Sequence, residues 1–254
     1  MSGGELIYFA GAGGVNLAAR LDCPAGVPRA YAVLAHCFTC SKDSLAAAHI
    51  SRELAAQGIA VLRFDFAGLG SSDGDFAATN FTSNVADVIA AAAFLREKFA
   101  APKLLIGHSL GGTAILAAAP HIPDARAVVT IGAPYRPSHV IPLLAASRTE
   151  IEARGEADVS LAGRTFRIKQ QFVHDLSEFD TRQSIATLNK ALLVFHSPVD
   201  ATVGIANATQ IFDAARHPKS FVSLDGADHL LTRKADGAFV AAVLSSWASR
   251  YLEG

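Results

Sequence analysis

Three residues far apart in the chain have the types needed for nucleophilic catalysis. Ser109 is the central residue of Gly-His-Ser-Leu-Gly at 107–111, between an apolar run and an alanine-rich run. A Gly-x-Ser-x-Gly pattern between a strand and a helix is typical of a tight turn that exposes the serine hydroxyl. A serine hydroxyl is a poor nucleophile until a base takes its proton and an acid orients that base. Asp200 and His229 follow Ser109 in that order.

Each of these residues comes just after an apolar run that is typical of a buried strand. Because the carboxyl ends of parallel strands meet at one edge of a sheet, we expect the three side chains to converge there. The pattern predicts Ser109 as nucleophile, His229 as base and Asp200 as orienting acid. Asp225 and Asp228 are alternative acids, but they lie too close to His229 in sequence to reach it easily across a site.

Acyl transfer also needs hydrogen-bond donors for the developing oxyanion, each worth roughly 2–4 kcal/mol in the transition state. We expect the backbone N–H of Leu110 as one donor and that of Phe38 or Cys37 as the other. Cys37 and Cys40 have the C-x-x-C spacing, between a strand and a helix, that redox sites also use. Three roles of these two cysteines stay open: packing in the loop, redox catalysis, or reversible thiol regulation.

Composition limits the remaining possibilities. The 254 residues are 51% hydrophobic with a formal net charge of −1, which gives no electrostatic case for nucleic acid or an anionic membrane. No secretory signal, myristoylation site or membrane-spanning segment is evident, so a soluble, cytoplasmic monomer or homodimer is expected. Three cysteines do not make a disulfide scaffold, and no zinc spacing or phosphate-binding loop is present. We therefore predict no metal and no cofactor.

Apolar runs and periodicity predict strands alternating with helices, which is typical of a parallel sheet. The predicted strands are 6–9, 16–21, 30–35, 59–64, 103–106, 127–131, 191–196 and 220–224, and the predicted helices are 44–57, 84–99, 113–119, 205–215 and 237–251. The alternation stops between residues 134 and 188, where a hairpin (159–161 and 165–168) and a helix (169–179) are indicated. We interpret 134–188 as a cap inserted into a core of residues 1–133 and 189–254.

Taken together, these motifs resemble those of α/β-hydrolases over nearly the whole chain. The resemblance implies a mostly parallel eight-stranded sheet with helices on both faces, and the site residues named above, with Phe38 and Leu110 as oxyanion donors. Residues 36–43 and 63–66 more narrowly resemble the hydrolase halves of bifunctional proteins that carry an OsmC-like domain, and such a domain is not expected within these 254 residues. The layout is also similar to small cinnamoyl and feruloyl esterases, in which glycine is usual at the position of Cys37.

The leading hypothesis is a cofactor-independent carboxylesterase that cleaves small acyl or aryl esters through an acyl-enzyme. A peptidase-like or thioesterase acyl hydrolase on the same three residues is an alternative. A different class of protein is also possible, a thiol-redox or stress-associated module that uses Cys37 and Cys40 while the triad is silent.

Overall fold

An eight-stranded sheet forms the centre of the computed structural model, which describes residues 4–161 and 163–252. Its strand order is β1-β2-β4-β3-β5-β6-β9-β10. The strands are β1 (Leu6–Ala10), β2 (Asn16–Asp22), β3 (Ala30–Ala35), β4 (Ile59–Phe64), β5 (Leu104–His108), β6 (Ala127–Ile131), β9 (Ala191–His196) and β10 (Lys219–Ser223). β2 runs antiparallel to both of its neighbours, and the other pairs are parallel. The predicted fold is confirmed.

Helices cover both faces of the sheet, so the central strands are buried on both sides and are mostly apolar. The helices are α1 (Leu45–Ala56), α2 (Phe81–Lys98), α3 (Leu110–Ala118), α4 (Arg148–Arg154), α5 (Gln170–Glu178), α6 (Arg182–Ala186), α7 (Ala206–Ala214) and α8 (Lys234–Leu252). One apolar core lies between the sheet and α1 and α8, and a second lies beneath α2, α3 and α7.

Three helices, α2, α3 and α8, begin three residues before their predicted starts, α8 at Lys234 rather than Gly237. α2 begins three residues before the predicted Asn84, because Asn80 caps it: the Asn80 side chain accepts the Ser83 N–H at 2.7 Å, and Ser83 Oγ accepts the Asn80 N–H at 3.0 Å. α3 begins at Leu110 rather than Thr113. Its first turn is therefore formed by the glycine-rich residues directly after Ser109.

The segment 134–188 has structure of its own. A 3-10 helix at Pro137–Ser147 leads into α4, and the antiparallel hairpin of β7 (Glu156–Leu161) and β8 (Arg164–Lys169) leads into α5 and α6. The predicted hairpin and the helix near 169–179 are present, although Ala162 in the predicted turn lies outside the described residues, as do 1–3 and 253–254 of the predicted core. The helical stretch 137–154 was not predicted. Pro142 lies inside it and has no N–H to donate, which disfavours a regular α-helix.

Within the part of the chain that the structure describes, no helix is long and apolar enough to cross a lipid bilayer.

Candidate active site

Ser109 lies between β5 and α3 in a backbone conformation that few non-glycine residues adopt, with φ 54° and ψ −130°. The glycines around it permit close backbone packing. A Cβ on Gly107 would lie 2.4 Å from the Cα of Gly112, and one on Gly111 would lie 2.2 Å from the carbonyl oxygen of His36. The motif therefore holds the serine in a strained turn by removing side chains from its neighbours.

The structure brings the three predicted residues into one hydrogen-bonded series. His229 Nε2 lies 2.9 Å from Ser109 Oγ, and His229 Nδ1 lies 2.7 Å from Asp200 Oδ2. Asp200 follows β9 and His229 follows β10, so all three lie at the carboxyl edge of the sheet. With Nδ1–H donating to the carboxylate, Nε2 is the unprotonated nitrogen that faces the serine hydroxyl.

The second oxygen of Asp200 is held by the backbone. Oδ1 accepts the N–H groups of Thr202 and Val203, each at 2.8 Å. Burial alone would raise the pKa of Asp200, but the hydrogen bonds from His229 and these N–H groups hold the pKa below its ordinary value. The carboxylate is therefore ionised, and each of its oxygens has defined hydrogen-bond partners.

The two alternative acids are engaged elsewhere. Asp225 accepts the hydroxyl of Ser223, and Asp228 accepts the N–H and hydroxyl of Thr232. Both carboxylates thus bond to residues close to them in sequence. Asp200 instead bonds to His229 from the end of the neighbouring strand, β9.

Two further histidines lie close to the site. His108 Nε2 is 2.7 Å from the backbone carbonyl of His229, and burial lowers the pKa of His108 to about 4, so its neutral ring donates N–H to that carbonyl. His36 Nδ1 similarly lies 2.7 Å from the carbonyl of Cys37, and burial lowers the pKa of His36. Both rings support backbone that carries other site residues.

The predicted oxyanion residues are both buried and lie on two segments in backbone contact. The close approach of Gly111 to His36 brings the first turn of α3, with Leu110, against the loop that carries Phe38. The Phe38 ring stacks on Phe172 of α5 at a centroid distance of 5.4 Å and tilts against Phe76 at 5.8 Å. The loop after β3 therefore lies between the turn that carries Ser109 and the 134–188 segment.

Cys37 and Cys40 are joined by a disulfide in this loop, with a Cα–Cα distance of 5.3 Å. The Cys40 N–H also donates to the Cys37 carbonyl at 3.1 Å, which closes a tight turn around Phe38. Cys23 is exposed and unpaired within the described residues.

Sequence reasoning missed a group of buried charges beneath the same loop: Lys42, Arg63, Asp65 and Asp22, each 5% exposed or less. One signal was available, because Arg63 interrupts an otherwise apolar strand. Lys42 gave no such signal, because a lysine in a polar loop is ordinarily exposed. Across residues 4–161 and 163–252, no three His, Cys, Asp or Glu side chains are grouped as metal ligands would be.

Residues 26–156 match the family model described as Serine aminopeptidase, S33 (Hydrolase_4), which is half of the chain. The chain belongs to this family of α/β serine hydrolases. The predicted resemblance is thereby confirmed, as is the class of enzyme, a hydrolase.

Related structures extend this result to the whole chain. This serine hydrolase is 50% identical to the esterase domain of a Rhodothermus marinus protein, over 98% of both chains with a TM-score of 0.80. Est1E of Butyrivibrio proteoclasticus, solved with ferulic acid, is 20% identical over 98% of this chain and 100% of that chain, with a TM-score of 0.79, which shows the fold alone.

A curated relative is the mouse mitochondrial palmitoyl-protein thioesterase ABHD10, 28% identical over 189 residues. The match covers 70% of this hydrolase and 62% of the mouse protein, so it spans less than two thirds of that relative.

Proposed function

We propose that this serine hydrolase is a carboxylesterase in which Ser109, His229 and Asp200 form the catalytic triad. The observation that carries the proposal is the hydrogen-bonded series from Ser109 Oγ through His229 to Asp200, at 2.9 and 2.7 Å. The similarity to an esterase domain at 50% identity supports esters as the substrate class.

In the first half of the reaction, Ser109 Oγ attacks the ester carbonyl carbon while His229 Nε2 takes the hydroxyl proton. The tetrahedral intermediate carries its negative charge on the former carbonyl oxygen, which accepts hydrogen bonds from the N–H groups of Leu110 and Phe38. His229 then gives its proton to the alkoxy oxygen, the C–O bond breaks, and the alcohol leaves.

In the second half, water replaces the alcohol. His229 takes a proton from the water as its oxygen attacks the acyl carbon, and the proton then returns to Ser109 Oγ as the acid is released. Asp200 remains ionised throughout and stabilises the imidazolium. The balance is one ester and one water consumed, and one acid and one alcohol formed.

We assign segment 134–188 as a cap that forms part of the substrate cleft. The stacking of Phe172 on Phe38 supports this, because it places a cap side chain directly on the loop after β3. The neighbouring Phe76 and Phe166 belong to the same buried aromatic cluster, which packs this segment against the loop after β3.

The test is Ser109→Ala, with Ser177→Ala as its control because the Ser177 hydroxyl lies exposed on α5. We expect kcat for a p-nitrophenyl ester to fall by roughly 10⁴- to 10⁶-fold in the first variant. Fluorophosphonate labelling is expected to disappear with it, while Ser177→Ala keeps both. A folded Ser109→Ala protein that retains esterase activity contradicts the assignment.

A thioesterase is the second candidate, favoured by the similarity to mouse ABHD10. The same triad cleaves both bonds, so the discriminating experiment is a comparison of kcat/KM for matched acyl esters and acyl thioesters of increasing chain length. Aminoacyl amides belong in the same panel, because the family model is described as a serine aminopeptidase.

The thiol-redox alternative predicts the opposite pattern: no fluorophosphonate labelling of Ser109, with reversible redox cycling of Cys37 and Cys40.

A cytoplasmic location and a monomeric or homodimeric state stay predictions. Cell fractionation tests the location, since the name of the mouse relative places that protein in mitochondria, and sedimentation tests the oligomeric state.

A further inference from the structure

The oxyanion loop, residues 36–43, rests on two buried charged side chains of the neighbouring strand. Arg63 lies in β4, and Asp65 is the first residue after that strand. Their loop-side partner is Lys42, whose long side chain is only 2% exposed. A buried lysine must have a compensating partner, because its desolvation is costly.

Asp65 holds Lys42 at two points. Oδ1 accepts the backbone N–H of Lys42 at 2.6 Å, and Oδ2 accepts its ammonium group at 2.8 Å. Oδ2 also accepts the N–H of Ser71 at 2.8 Å. One fully buried carboxylate therefore fixes the main chain and the side chain of the same loop residue, and ties both to the loop after β4.

Arg63 holds the loop from the other side of the same residue. Its Nη1 donates to the Lys42 carbonyl at 2.6 Å and to Asp43 Oδ1 at 2.7 Å. Its Nε donates to Asp22 Oδ2 at 2.6 Å, and Asp22 also accepts the Ser51 hydroxyl. The N–H, the carbonyl and the ammonium of Lys42 are thus all engaged by buried charged groups.

The other end of the loop is fixed as well, by the contact of the His36 carbonyl with α3. Between these two fixed ends lies Phe38, four residues before Lys42. Replacing a buried ion pair with apolar side chains is often neutral or favourable for stability, so stability alone gives little reason for a buried lysine here. Its contacts instead restrict where the Phe38 N–H can lie.

We propose that Lys42 is a positioning residue for hydrolysis, which holds the oxyanion loop on Asp65 so that the Phe38 N–H faces the tetrahedral intermediate. This inference rests on the proposed function, because it assigns Lys42 a task in the same acyl transfer. The Lys42–Asp65 pair stabilises the transition state, whereas binding of the substrate in the ground state depends on the cap and the cleft.

The experiment compares Lys42→Met with Lys42→Arg, which retains the charge and the donors. Lys190→Met is the matched control, because Lys190 is a half-buried lysine at the opposite edge of the sheet whose Nζ donates to the Ala125 carbonyl at 2.8 Å. All rates are measured on full-length protein and divided by the concentration of active sites titrated with a fluorophosphonate, so that misfolded protein does not contribute.

An oxyanion donor is worth roughly 10²- to 10³-fold in kcat, so a displaced one is expected to lower kcat by about 10- to 100-fold in Lys42→Met. KM should stay within about twofold of wild type. The inhibition constant of phenylboronic acid should rise by about the same factor as kcat falls, because the boronate mimics the tetrahedral intermediate. Lys42→Arg should recover most of kcat, and Lys190→Met should match wild type.

Two results overturn the inference while the proposed function stands: a Lys42→Met kcat within twofold of wild type, or a loss that appears equally in Lys190→Met. If Lys42→Met gives no folded protein, Lys42→Arg decides, because the inference requires it to retain kcat and boronate affinity. A wild-type protein without turnover or Ser109 labelling overturns the proposed function, and this inference with it.

Discussion

Replacing Asp200 with asparagine tests the triad at the point where the structure is most specific. In the wild type, Oδ2 accepts Nδ1–H of His229, and Oδ1 accepts two backbone N–H groups, from Thr202 and Val203. Asparagine keeps one oxygen, and its amide group can only donate. Because the two backbone donors require an acceptor, the oxygen must stay with them and the amide must face His229.

The consequence is a change of tautomer. His229 Nδ1 must then accept from the amide, so the ring proton moves to Nε2, which faces Ser109 Oγ at 2.9 Å. A protonated Nε2 cannot take the serine proton. The same loss of the reactive tautomer in a serine protease costs about 10⁴-fold in kcat. We expect a similar loss here, about 5.5 kcal/mol of transition-state stabilisation, with the fold intact.

The assay is steady-state hydrolysis of a p-nitrophenyl ester by Asp200→Asn, with far-UV circular dichroism to establish folding. Asp228→Asn is the control, since this exposed carboxylate is engaged by Thr232 and should leave kcat unchanged. Retention of more than one tenth of wild-type kcat by Asp200→Asn would refute the reasoning. So would an equal loss in Asp228→Asn.

Two other predictions concern the fold around the site. Burial raises the pKa of Asp87 to about 6 even though its carboxylate accepts the Ala67 N–H, so the folded state binds this proton more tightly than the unfolded state. The contribution of the protonated Asp87 carboxyl to the free energy of unfolding is therefore lost as pH rises from about 4 to 6, by up to roughly 3 kcal/mol. Urea unfolding of Asp87→Asn should show a flatter dependence of the free energy of unfolding on pH than wild type. An unchanged dependence would contradict this. Gly111→Ala places a Cβ 2.2 Å from the His36 carbonyl, so it should lower both kcat and stability, the latter by about 1–3 kcal/mol, in activity and thermal-unfolding assays. Gly204→Ala is the control, because its Cβ would meet nothing within 4 Å, and equal effects in the two variants would be evidence against the packing argument.

The central strands were predictable because burial on both faces leaves a simple pattern. The runs at 30–35, 59–64 and 191–196 form strands with the predicted bounds. Helix starts were less accurate, since they depend on side-chain caps such as that of Asn80. The helical stretch 137–154 was missed because its prolines obscure the periodicity on which such predictions depend.

The site could be predicted in outline from chain order. Ser109, Asp200 and His229 each follow a strand, and parallel strands place such residues at a common edge. Distances and partners could not be predicted, because they depend on how distant segments pack. Lys42 is the clearest case: its burial arises from Asp65, which lies 23 residues away in another loop, and no local pattern encodes that pairing.

The topology also determines how assembly of the site can be observed. His229 follows β10, the edge strand, and β10 packs beside α8 through a hydrogen bond from the indole of Trp247 to the Ser220 hydroxyl at 3.1 Å. Trp247 is the single tryptophan of the chain. Its fluorescence therefore reports whether the last helix is docked on the strand that leads to His229. The protein therefore carries an intrinsic optical probe near the start of β10, at the opposite end of this strand from His229.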